Sequence, residues 1–483
     1  MRLRDLLGRL DARDAGGDLD RPLQDVQRDS RRVGPGSAFV AIEGARVDGH
    51  TLIDALGVCA GVVISRSVPL PPGLGWVRVD STRRALAEIA AALCGDPARL
   101  VPVVGVTGTN GKTSVTTLLA SALGAMGHVA GRIGTTGMAL GAQTFRSELT
   151  TPEAPELQRA LRRMVDGGAR CVAMEVSSIG VVQERVAALP LHVGVFTNLG
   201  RDHLDFHGTI EAYARAKARV FSELLRPAGG MPRALLYGDE PTWSLMSPPE
   251  DHWRFGFAAG NHVRIHHAEL RADGMSLRVS SPVGEAQLDA PLVGRHNALN
   301  LVASWAAGVL AGFSPVALAA AFREARGAVG RLEPVRVEGG PLVLVDYAHT
   351  PDALKAAIAA ARSVCRGQVW LVFGCGGDRD PGKRPMMGAA SAAADQVWVT
   401  SDNPRSEDPA AIVAAVVTGM SEGRFQVELD RARAIAAVIQ AARVDDVVLI
   451  AGKGHETWQE VSGRRIPFDD RVVARAALEA RCT

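Results

Sequence analysis

Apolar and polar positions alternate along the first hundred residues in a way that predicts a small α/β domain. Short apolar runs are separated by turns rich in Gly and Pro, and a helical stretch over 82–93 follows them. The runs that predict strands are 38–42, 61–64 and 76–79. Because the helical stretch is followed by a Gly-Asp-Pro turn, we expect this domain to end near residue 99.

A second domain is expected over 100–331, because a new apolar run opens at 101–106. This run leads through a glycine-rich turn into an amphipathic stretch, 114–126, which is the strand–loop–helix order of a phosphate-binding loop. Two further buried strands are predicted at 171–176 and 193–197. Alternating patterns then predict a small antiparallel sheet late in the domain, at 262–270, 275–280 and 286–292.

From residue 332 to 483, strand and helix patterns alternate regularly. Strands are expected at 342–346, 369–373, 396–400 and 447–450, and helices at 351–362, 383–394 and 409–420. Such alternation predicts a Rossmann-like, doubly wound domain with a mostly parallel sheet. The fold class is therefore α/β, with three domains, and ligands are expected at the carboxyl ends of the strands.

Composition excludes several classes of protein. The chain has 483 residues, of which 47% are hydrophobic and 22% charged, as in ordinary globular proteins. A net charge of +2 provides no field for binding nucleic acid or an anionic membrane. No signal peptide or membrane-spanning run is recognisable, and the six cysteines form no CxxC motif. We therefore expect a reduced, cytoplasmic protein without a disulfide framework or zinc site.

Lysine is rare in this chain. Of 54 basic residues only five are lysine, so each lysine is a candidate for chemistry that arginine cannot perform. Arginine neither forms a carbamate nor acts as a compact phosphate ligand. The five are Lys112, Lys217, Lys355, Lys383 and Lys453.

The segment 107–114, with the sequence TGTNGKTS, is the strongest local signal. Small residues allow backbone N–H groups to surround a triphosphate, Lys112 reaches the β and γ oxygens, and the Thr113 hydroxyl is suited to Mg²⁺. Val106 stands where the strict Walker motif has glycine, and a simple helix N-cap after a tight turn is the alternative. The predicted loop residues are Gly108, Thr109, Asn110, Gly111, Lys112, Thr113 and Ser114.

The sequence after the loop contains three candidate metal ligands. Glu175 ends a predicted strand, where a carboxylate reaches the Mg²⁺ of a phosphate loop, although a solvated strand end is the alternative. His203 follows the next predicted strand and is either a second ligand or structural. Lys217 lies among arginines in a helical segment and is either a surface charge or a lysine that CO₂ converts to a carbamate.

The order and spacing of many motifs resemble those of the Mur ligases, the ATP-dependent amide-forming enzymes of peptidoglycan synthesis. Within the family, the chain is most similar to members that add the third amino acid. The matching segments in the second and third domains are 107–114, 174–178, 198–205, 213–217, 294–300, 330–333, 346–351, 373–379, 401–405 and 451–456. Two more, 29–31 and 48–50, extend the resemblance into the first domain.

The resemblance implies a set of nucleotide and metal positions. ATP would be the co-substrate, with Asn297, Arg331 and Asp346 as further nucleotide contacts. Two Mg²⁺ ions are expected, one held by Thr113 and Glu175 and the other by His203 and the carbamate of Lys217. Lys112, Glu175, His203 and Lys217 would be the catalytic residues.

The resemblance also implies the acid substrate, UDP-N-acetylmuramoyl-L-alanyl-D-glutamate. The first domain would hold its UDP end, and an acyl phosphate on the D-glutamate γ-carboxylate would be captured by an amine. The positions that match family contacts to this substrate are Ser30, Ala45, Arg46, Val47, Thr150, Thr151, Ser177, Gln183 and Arg185. Ile179 replaces a histidine that relatives usually carry, and Leu149 replaces a common polar residue, so these contacts depart most from the family pattern.

The amine substrate implied by the resemblance is meso-2,6-diaminopimelate. The segment 402–405, DNPR, resembles the signature of diaminopimelate-adding members, and the Arg405 guanidinium is suited to grip the extra carboxylate with two parallel hydrogen bonds. A surface turn with a solvated arginine is the alternative. The implied contacts are Arg379, Asp402, Asn403, Pro404, Arg405, Gly452 and Glu456.

Two other functions are weighed against this one. A ligase that adds lysine or another diamine would lack Arg405, and a nucleotide-binding regulator would lack the metal residues, yet all of these are present. A nucleic-acid motor would need a basic stripe, which is absent from the sequence. We expect small-molecule substrates, no nucleic acid, no membrane span and a monomer.

Overall fold

The computed structural model describes residues 1–44, 47–226, 233–421, 423 and 425–482. By internal packing the chain divides into two compact units, Met1–Phe255 with Ala306–Ser314 and Gly256–Trp305 with Pro315–Thr483. The division into domains 1–99, 100–331 and 332–483 stays a prediction. Within the described ranges, no helix combines the length and apolar character that a bilayer crossing requires.

The first unit begins with a five-stranded sheet that carries one long helix. The strand order is β1-β5-β4-β3-β2, with β1 antiparallel and the others parallel, and leucine and valine side chains fill the core between sheet and helix. The strands are β1 Asp14–Gly16, β2 Asp25–Gln27, β3 Ser37–Val40, β4 Gly61–Ile64 and β5 Trp76–Arg78. The helix is α1 Thr82–Leu93, and short 3₁₀ helices cover Leu3–Leu6, Ser30–Arg32, Gly49–Ala55 and Pro97–Arg99.

The rest of the first unit is built on a larger sheet. Its strands are β6 Val103–Thr107, β7 Ala130–Gly134, β8 Gly137–Leu140, β9 Gln143–Phe145, β10 Cys171–Glu175, β11 Val193–Phe196, β12 Ala234–Tyr237 and β13 His252–Gly256. Its helices are α2 Lys112–Ala125, α3 Ala154–Asp166, α4 Ser178–Val182, α5 Leu204–His207 and α6 Ile210–Glu223, with a 3₁₀ helix at Pro241–Met246.

The strand order brings three strand ends to one edge of this sheet. The order is β13-β12-β11-β6-β10-β7-β8-β9, parallel from β13 to β7 and antiparallel through β8 and β9. Every residue of β6, β10 and β11 is buried, as apolar runs covered on both faces require. Because β6 lies between β10 and β11, Thr107, Glu175 and Phe196 end side by side.

The second unit contains an antiparallel sheet and a doubly wound sheet. The antiparallel strands are β14 Val263–Arg271, β15 Gly274–Ser281 and β16 Gly284–Ala290, followed by α7 Arg295–Leu310 and α8 Pro315–Ala321. The later strands are β17 Glu333–Val335, β18 Leu342–Asp346, β19 Val369–Phe373, β20 Gln396–Val399, β21 Gln426–Val427, β22 Val447–Ala451, β23 Trp458–Val461 and β24 Arg464–Pro467. The later helices are α9 Pro351–Val364, α10 Lys383–Ala390, α11 Pro409–Val417, α12 Arg431–Ala441 and α13 Asp470–Cys482, with a 3₁₀ helix at Ser391–Ala393.

The doubly wound sheet explains why the loops of the second unit cluster. Its order is β17-β18-β22-β19-β20-β21, with only the β17 edge antiparallel. The carboxyl ends of β18, β19, β20 and β22 therefore share one edge, and β23 pairs with β24 in a separate hairpin. Helices on both faces bury two apolar cores.

The predicted α/β class is confirmed, and most predicted elements are present within a few residues. One boundary matters for the site: α2 begins at Lys112 and not at residue 114. Gly111 has φ +86°, a left-handed conformation that ends the loop and allows the helix to start directly after it.

Candidate active site

The loop between β6 and α2 has the geometry of an anion-binding turn. Gly108 has φ +144° and Gly111 has φ +86°, which are backbone conformations that glycine adopts without strain. A Cβ atom at Gly108 would lie 1.9 Å from Thr197 Oγ1, so a side chain is also excluded by contact. The N-terminal N–H groups of α2 follow the loop directly, where they favour negative charge.

Two lysine side chains converge on this loop. Lys112 Nζ donates hydrogen bonds to the carbonyl oxygens of Gly108 and Thr109, both at 2.8 Å. Lys217 Nζ donates to the same Gly108 oxygen at 2.9 Å, although the two lysines are far apart in sequence. Lys217 is 1% exposed. Burial, reinforced by the positive charge of Lys112, lowers the pKa of Lys217 well below its ordinary value.

The Tyr213 ring packs against the end of the Lys217 side chain. Its ring centroid lies 4.2 Å from Lys217 Nζ, and its hydroxyl lies 3.3 Å from Thr109 Oγ1. Burial raises the pKa of Tyr213. The His203 ring lies 6.3 Å from the Tyr213 ring, measured between centroids, and the His203 side chain is 47% exposed. His203 is therefore partly open to solvent, and its Nε2 lies 3.7 Å from a carboxylate oxygen of Asp202.

Glu175 is held at the end of β10 by a residue that the sequence did not single out. Its carboxylate oxygens accept hydrogen bonds from the Thr135 amide at 2.9 Å and the Thr135 hydroxyl at 3.1 Å. A Cβ at Gly134 would approach Glu175 Oε1 to 2.2 Å, so a side chain there would displace the Glu175 carboxylate from this position. Thr113 is buried in α2, which packs against β10. Both predicted ligands of the first metal thus belong to neighbouring elements.

The chemical nature of these donors fits magnesium. Among the described residues, no group of three or more His, Cys, Asp and Glu side chains is arranged to hold a metal ion. Mg²⁺ commonly takes only one or two protein oxygen ligands and completes its shell with water and substrate phosphates. The Glu175 carboxylate and the Thr113 hydroxyl are donors of that kind. His203 makes no hydrogen bond or ion pair to Glu175 or Lys217 within the described residues.

The predicted peptide-binding residues form a connected network behind Glu175. Thr151 Oγ1 donates to the Glu175 carbonyl at 3.0 Å and accepts from the Ser177 amide at 2.9 Å. Arg185 donates to the Thr151 carbonyl at 2.9 Å. The Thr150 hydroxyl lies 3.0 Å from the Thr135 hydroxyl that contacts Glu175. The structure therefore brings these four predicted residues and the predicted metal carboxylate together.

Arg185 is anchored rather than solvated. It pairs with Glu153 at 3.2 Å and bonds to the side chain of Gln183, and burial lowers its pKa. Ile179, which replaces the usual family histidine, is half-buried in α4. Leu149 is 37% exposed.

His207 is a second residue that the sequence analysis missed. Its Nε2 lies 2.9 Å from Ser178 Oγ, and its ring centroid lies 5.1 Å from that of Tyr213. Burial, followed by the charges of His203 and Lys217, lowers the pKa of His207. Its closeness in sequence to His203 was the available signal; His203 itself is the N-cap of α5, with φ +52°, and not part of that helix.

Of the residues predicted to hold the UDP end, Ser30 and Val47 lie in the described part of the chain, in segments between strands of the first sheet. Ser30 begins a short 3₁₀ helix whose N-cap, Asp29, accepts from the Arg31 amide at 3.1 Å. The Arg31 guanidinium lowers the pKa of Asp29 to about 2. Val47 is exposed, and Ala45 and Arg46 lie outside the described residues. The UDP contacts stay a prediction.

Two of the three predicted nucleotide contacts in the second unit also organise local structure. Asn297 Nδ2 donates to the Val293 carbonyl at 2.9 Å. The Asp346 carboxylate accepts from the amides of Leu332 at 2.8 Å and Ala348 at 2.7 Å, and burial raises its pKa.

Arg331 differs from these two residues because part of its guanidinium is unpaired. The guanidinium lies 4.8 Å from the centre of the Tyr347 ring. Its Nε is buried and makes no hydrogen bond within the described residues.

Arg405 is fixed in an uncommon backbone conformation. Its φ is +53°, and its amide and carbonyl bond to Glu460 at 3.0 Å and Ser462 at 2.7 Å beside β23. A Cβ at Gly376 would lie 3.0 Å from an Arg405 guanidinium nitrogen and 3.8 Å from Arg379 Cγ. Side-chain atoms of Arg405 and Arg379, both predicted contacts of the amino acid, therefore lie near Gly376.

Gly452 and Asp402 are in close contact. A Cβ at Gly452, whose φ is +113°, would lie 2.4 Å from Asp402 Oδ2. Burial raises the pKa of Asp402. Pro404, between Asn403 and Arg405, is buried in the same loop.

Beneath these loops lies a group of paired charges, which we call the diamino-acid cluster. Asn403 Nδ2 donates to Glu456 Oε2 at 2.8 Å, and Lys453 contacts both residues. Arg431 pairs with Asp470 at 2.7 Å, with both side chains fully buried. The cluster consists of Asn403, Arg431, Lys453, Glu456 and Asp470. The sequence singled out Lys453 as a rare lysine but gave no sign of the Arg431 pair.

Comparison with known proteins identifies the family. Residues 106–308 match the Mur ligase middle domain, and residues 330–454 match the Mur ligase, glutamate ligase domain. The chain is 42% identical over 502 residues to the UDP-N-acetylmuramoyl-L-alanyl-D-glutamate–2,6-diaminopimelate ligase of Alkalilimnicola ehrlichii, covering 99% of each chain. It is 40% identical to the ligase of that name from Geobacillus kaustophilus, covering 94% of this chain and 95% of that one.

Solved structures agree with this assignment. A structure of a UDP-N-acetylmuramoyl-L-alanyl-D-glutamate–2,6-diaminopimelate ligase is 33% identical, covers 96% of each chain and superposes with a TM-score of 0.72. MurF ligase from Thermotoga maritima in complex with ADP shares the fold, at 19% identity and a TM-score of 0.63, and covers 96% of this chain and 98% of that one. By sequence along nearly its whole length and by fold, the chain belongs to the Mur ligase family.

Proposed function

We propose that this enzyme joins meso-2,6-diaminopimelate to the D-glutamate γ-carboxylate of UDP-N-acetylmuramoyl-L-alanyl-D-glutamate. It is an ATP-dependent ligase that forms a carbon–nitrogen bond in peptidoglycan synthesis. The observation that carries the choice of amine is the Arg405 guanidinium beside Gly376, in a loop whose Asn403 donates a hydrogen bond to Glu456. A guanidinium group is suited to the carboxylate that diaminopimelate has and lysine lacks.

The chemistry requires that a poor acyl donor be activated. A carboxylate does not expel oxide, whereas an acyl phosphate expels phosphate. In the proposed reaction, a γ-carboxylate oxygen bonds to the γ-phosphorus of ATP as the bond to ADP breaks. The uncharged amine then bonds to the acyl carbon, loses a proton, and phosphate leaves. Because both partners of the first step are anions, stabilisation of negative charge is the main task of the protein.

The phosphate-loop residues are suited to that task. The backbone N–H groups near Gly108 and the Lys112 ammonium would bind the β- and γ-phosphates. Enzymes of this family use ATP with Mg²⁺. We propose that Thr113 and Glu175 hold one ion, which when bound would offset phosphate charge. Asn297, Arg331 and Asp346 are the proposed nucleotide contacts of the second unit.

Lys217 has the properties of a lysine that reacts with CO₂. Burial and the charge of Lys112 lower its pKa, which favours the uncharged, nucleophilic form of the amine relative to an ordinary lysine. Its nitrogen would bond to the carbon of CO₂ and release a proton to solvent, giving a carbamate. We propose that this carbamate, with His203, supplies oxygen and nitrogen ligands for a second Mg²⁺.

The remaining contacts complete the proposal. By resemblance to the family pattern, the UDP end would be held by the domain 1–99 through Ser30 and the segment 45–47. The peptide would be held by Thr150, Thr151, Ser177, Gln183 and Arg185. The domain 332–483 would bind the amino acid. We expect the protein to be a monomer that acts in the cytoplasm on small-molecule substrates.

The proposed function is tested by product formation with the full chain. ATP and the UDP-muramoyl-dipeptide are incubated with diaminopimelate or with L-lysine, and the amide product and ADP are measured by mass spectrometry and coupled assay. We expect tripeptide product with diaminopimelate and little with lysine. Equal products from both would favour a ligase for diamines in general. Phosphate release that does not depend on the dipeptide, or no turnover at all, would contradict the ligase function.

A further inference from the structure

Lys453 is a buried member of the diamino-acid cluster, and the proposed chemistry gives it no role. Its side chain is 0% exposed, and its Nζ lies 5.6 Å from the centre of the Trp458 ring. Nζ donates hydrogen bonds to Asn403 Oδ1 and to Glu456 Oε2, both at 3.0 Å. A buried ammonium is costly unless it is paired, so these two bonds account for its presence there.

The hydrogen bond from Lys453 to Asn403 fixes the orientation of the Asn403 side-chain amide. Asn403 Oδ1 accepts from Lys453 and from the Glu460 amide, the latter at 3.0 Å. Since both partners are donors, only the oxygen of the amide fits on that side. The Asn403 NH₂ group is consequently directed to Glu456 Oε2, at 2.8 Å.

The bond to Glu456 fixes one oxygen of its carboxylate and leaves the other available. Glu456 Oε2 accepts from both Lys453 and Asn403. Within the described residues, Glu456 Oε1 makes no hydrogen bond. An ionised carboxylate with one oxygen held by two donors presents the second oxygen in a defined direction, as a receptor for an ammonium group requires.

A comparison with Arg431 explains why the residue is lysine in a chain so rich in arginine. Arg431 binds Asp470 with two parallel bonds, at 2.7 and 2.8 Å, and also donates to the Ala451 carbonyl at 2.9 Å. The planar Arg431 guanidinium therefore joins a carboxylate to the backbone at the end of β22. Lys453 instead joins two side-chain oxygens through one atom, which suits a compact ammonium.

Resting on the proposed function, we propose that Lys453 is a positioning residue for the amino acid substrate. It orients Asn403 and Glu456 so that Glu456 Oε1 receives an ammonium group of the diamino acid. Lys453 itself does not touch the substrate. Its loss should consequently act through Glu456 and affect the Michaelis constant for the amino acid rather than those for the other two substrates.

The test uses the full chain and the variants Lys453→Met, Glu456→Gln and the double variant. We expect Lys453→Met to raise the KM for diaminopimelate roughly 30-fold or more, as loss of one partner of a buried charge pair typically does. The KM values for ATP and for the UDP-muramoyl-dipeptide should stay within about twofold, since uncoupled sites change independently. Lys355→Met, at an exposed lysine of α9, is the matched control and should leave all three constants unchanged.

The double variant separates positioning from a structural role. If Lys453 acts through Glu456, its loss in the Glu456→Gln background should change the KM for diaminopimelate less than about threefold. Equal effects in both backgrounds, or a rise in all three KM values together, would overturn the proposal. Should Lys453→Met not fold, the double variant, which removes both charges, is compared with Glu456→Gln alone: a similar KM supports the proposal, and a further tenfold rise overturns it.

Failure of the inference is distinct from failure of the function. Wild-type protein that ligates diaminopimelate, together with a Lys453→Met variant of unchanged KM, would reject only the role of Lys453. Wild-type protein that does not ligate diaminopimelate would reject the proposed function on which this role rests.

Discussion

The phosphate-loop region and the diamino-acid cluster of this enzyme differ in how their buried lysine and arginine side chains are paired. In the phosphate-loop region, defined by Gly108, Lys112, Glu175 and Lys217, two lysine nitrogens share one carbonyl oxygen. No carboxylate lies within ion-pair distance of Lys217 among the described residues. In the diamino-acid cluster, by contrast, each buried cation has an anionic partner, at 3.0 Å for Lys453 and 2.7 Å for Arg431.

This difference corresponds to two kinds of task. Burial, followed by the positive charge of Lys112, lowers the pKa of Lys217, and the Lys112 ammonium is suited to anionic reactants. Compensated charge in the diamino-acid cluster fixes side-chain directions before any substrate binds. Under the proposed assignment of the site, activation of the acid uses the lysines of the phosphate-loop region, whereas selection of the amine uses a network of paired charges.

The largest effect is expected from Lys217→Ala. Removing the proposed carbamate should lower kcat by about 10³-fold, at the upper end of what loss of one preorganised electrostatic group costs. Formate or acetate should restore part of the activity by supplying oxygens. Steady-state assays measure kcat for Lys217→Ala with and without the added carboxylate, and Lys355→Ala is the control. Activity near wild type would contradict the proposed role of Lys217 in the phosphate-loop region.

Arg405→Ala should produce the next largest change, specific for one substrate. Truncating a partner of a buried ion pair typically costs ~2–5 kcal/mol, which corresponds to a roughly thirty- to several-thousand-fold lower kcat/KM for diaminopimelate. The smaller rate with L-lysine should change much less. Arg433→Ala, at an exposed arginine, is the control. Equal losses for both amino acids would contradict selection by this guanidinium.

Asp470→Asn tests how much the buried Arg431–Asp470 pair of the diamino-acid cluster contributes to stability. Leaving the Arg431 guanidinium buried without its carboxylate should lower the free energy of unfolding by about 3–5 kcal/mol. Glu223→Gln, which breaks the exposed pair with Arg219, should cost only about 0.5 kcal/mol. Urea unfolding of both variants makes the comparison. Similar costs would show that the buried pair contributes little.

The smallest predicted effect concerns pH. Burial, with the charges of Arg331, Arg471 and Lys453, lowers the pKa of His455 to about 4. Because the unfolded chain takes up this proton first, near its ordinary pKa of about 6.5, stability should fall as the pH drops from 6.5 towards 4.

His455→Gln isolates this contribution. Between pH 7 and pH 5, the variant should lose about 2 kcal/mol less unfolding free energy than wild type. Urea unfolding at both pH values measures the two losses. Equal losses in the two proteins would contradict the assigned pKa.

The sequence predicted the elements that consist of continuous apolar runs. The bounds of α1, β18 and β19 are those expected, because buried strands and a capped amphipathic helix are visible locally. The helix α3 was not predicted. It contains proline in its first turn, where proline is tolerated although it resembles a loop signal.

The site was predictable only where chemistry is local in sequence. The phosphate loop and Glu175 could be predicted from strand–loop order. The contacts of Thr135 with Glu175 and of Lys453 with Asn403 join residues 40 and 50 positions apart. They depend on β10 lying beside β7 and on which loops share one edge of the doubly wound sheet, which no local pattern specifies.

Isotope transfer tests the activation step most directly. The D-glutamate γ-carboxylate of the UDP-muramoyl-dipeptide is labelled with ¹⁸O, and the full chain is supplied with ATP and diaminopimelate. Because one carboxylate oxygen leaves with the phosphoryl group, each released phosphate should carry one ¹⁸O, as mass spectrometry measures. Unlabelled phosphate released together with tripeptide product would contradict activation through an acyl phosphate.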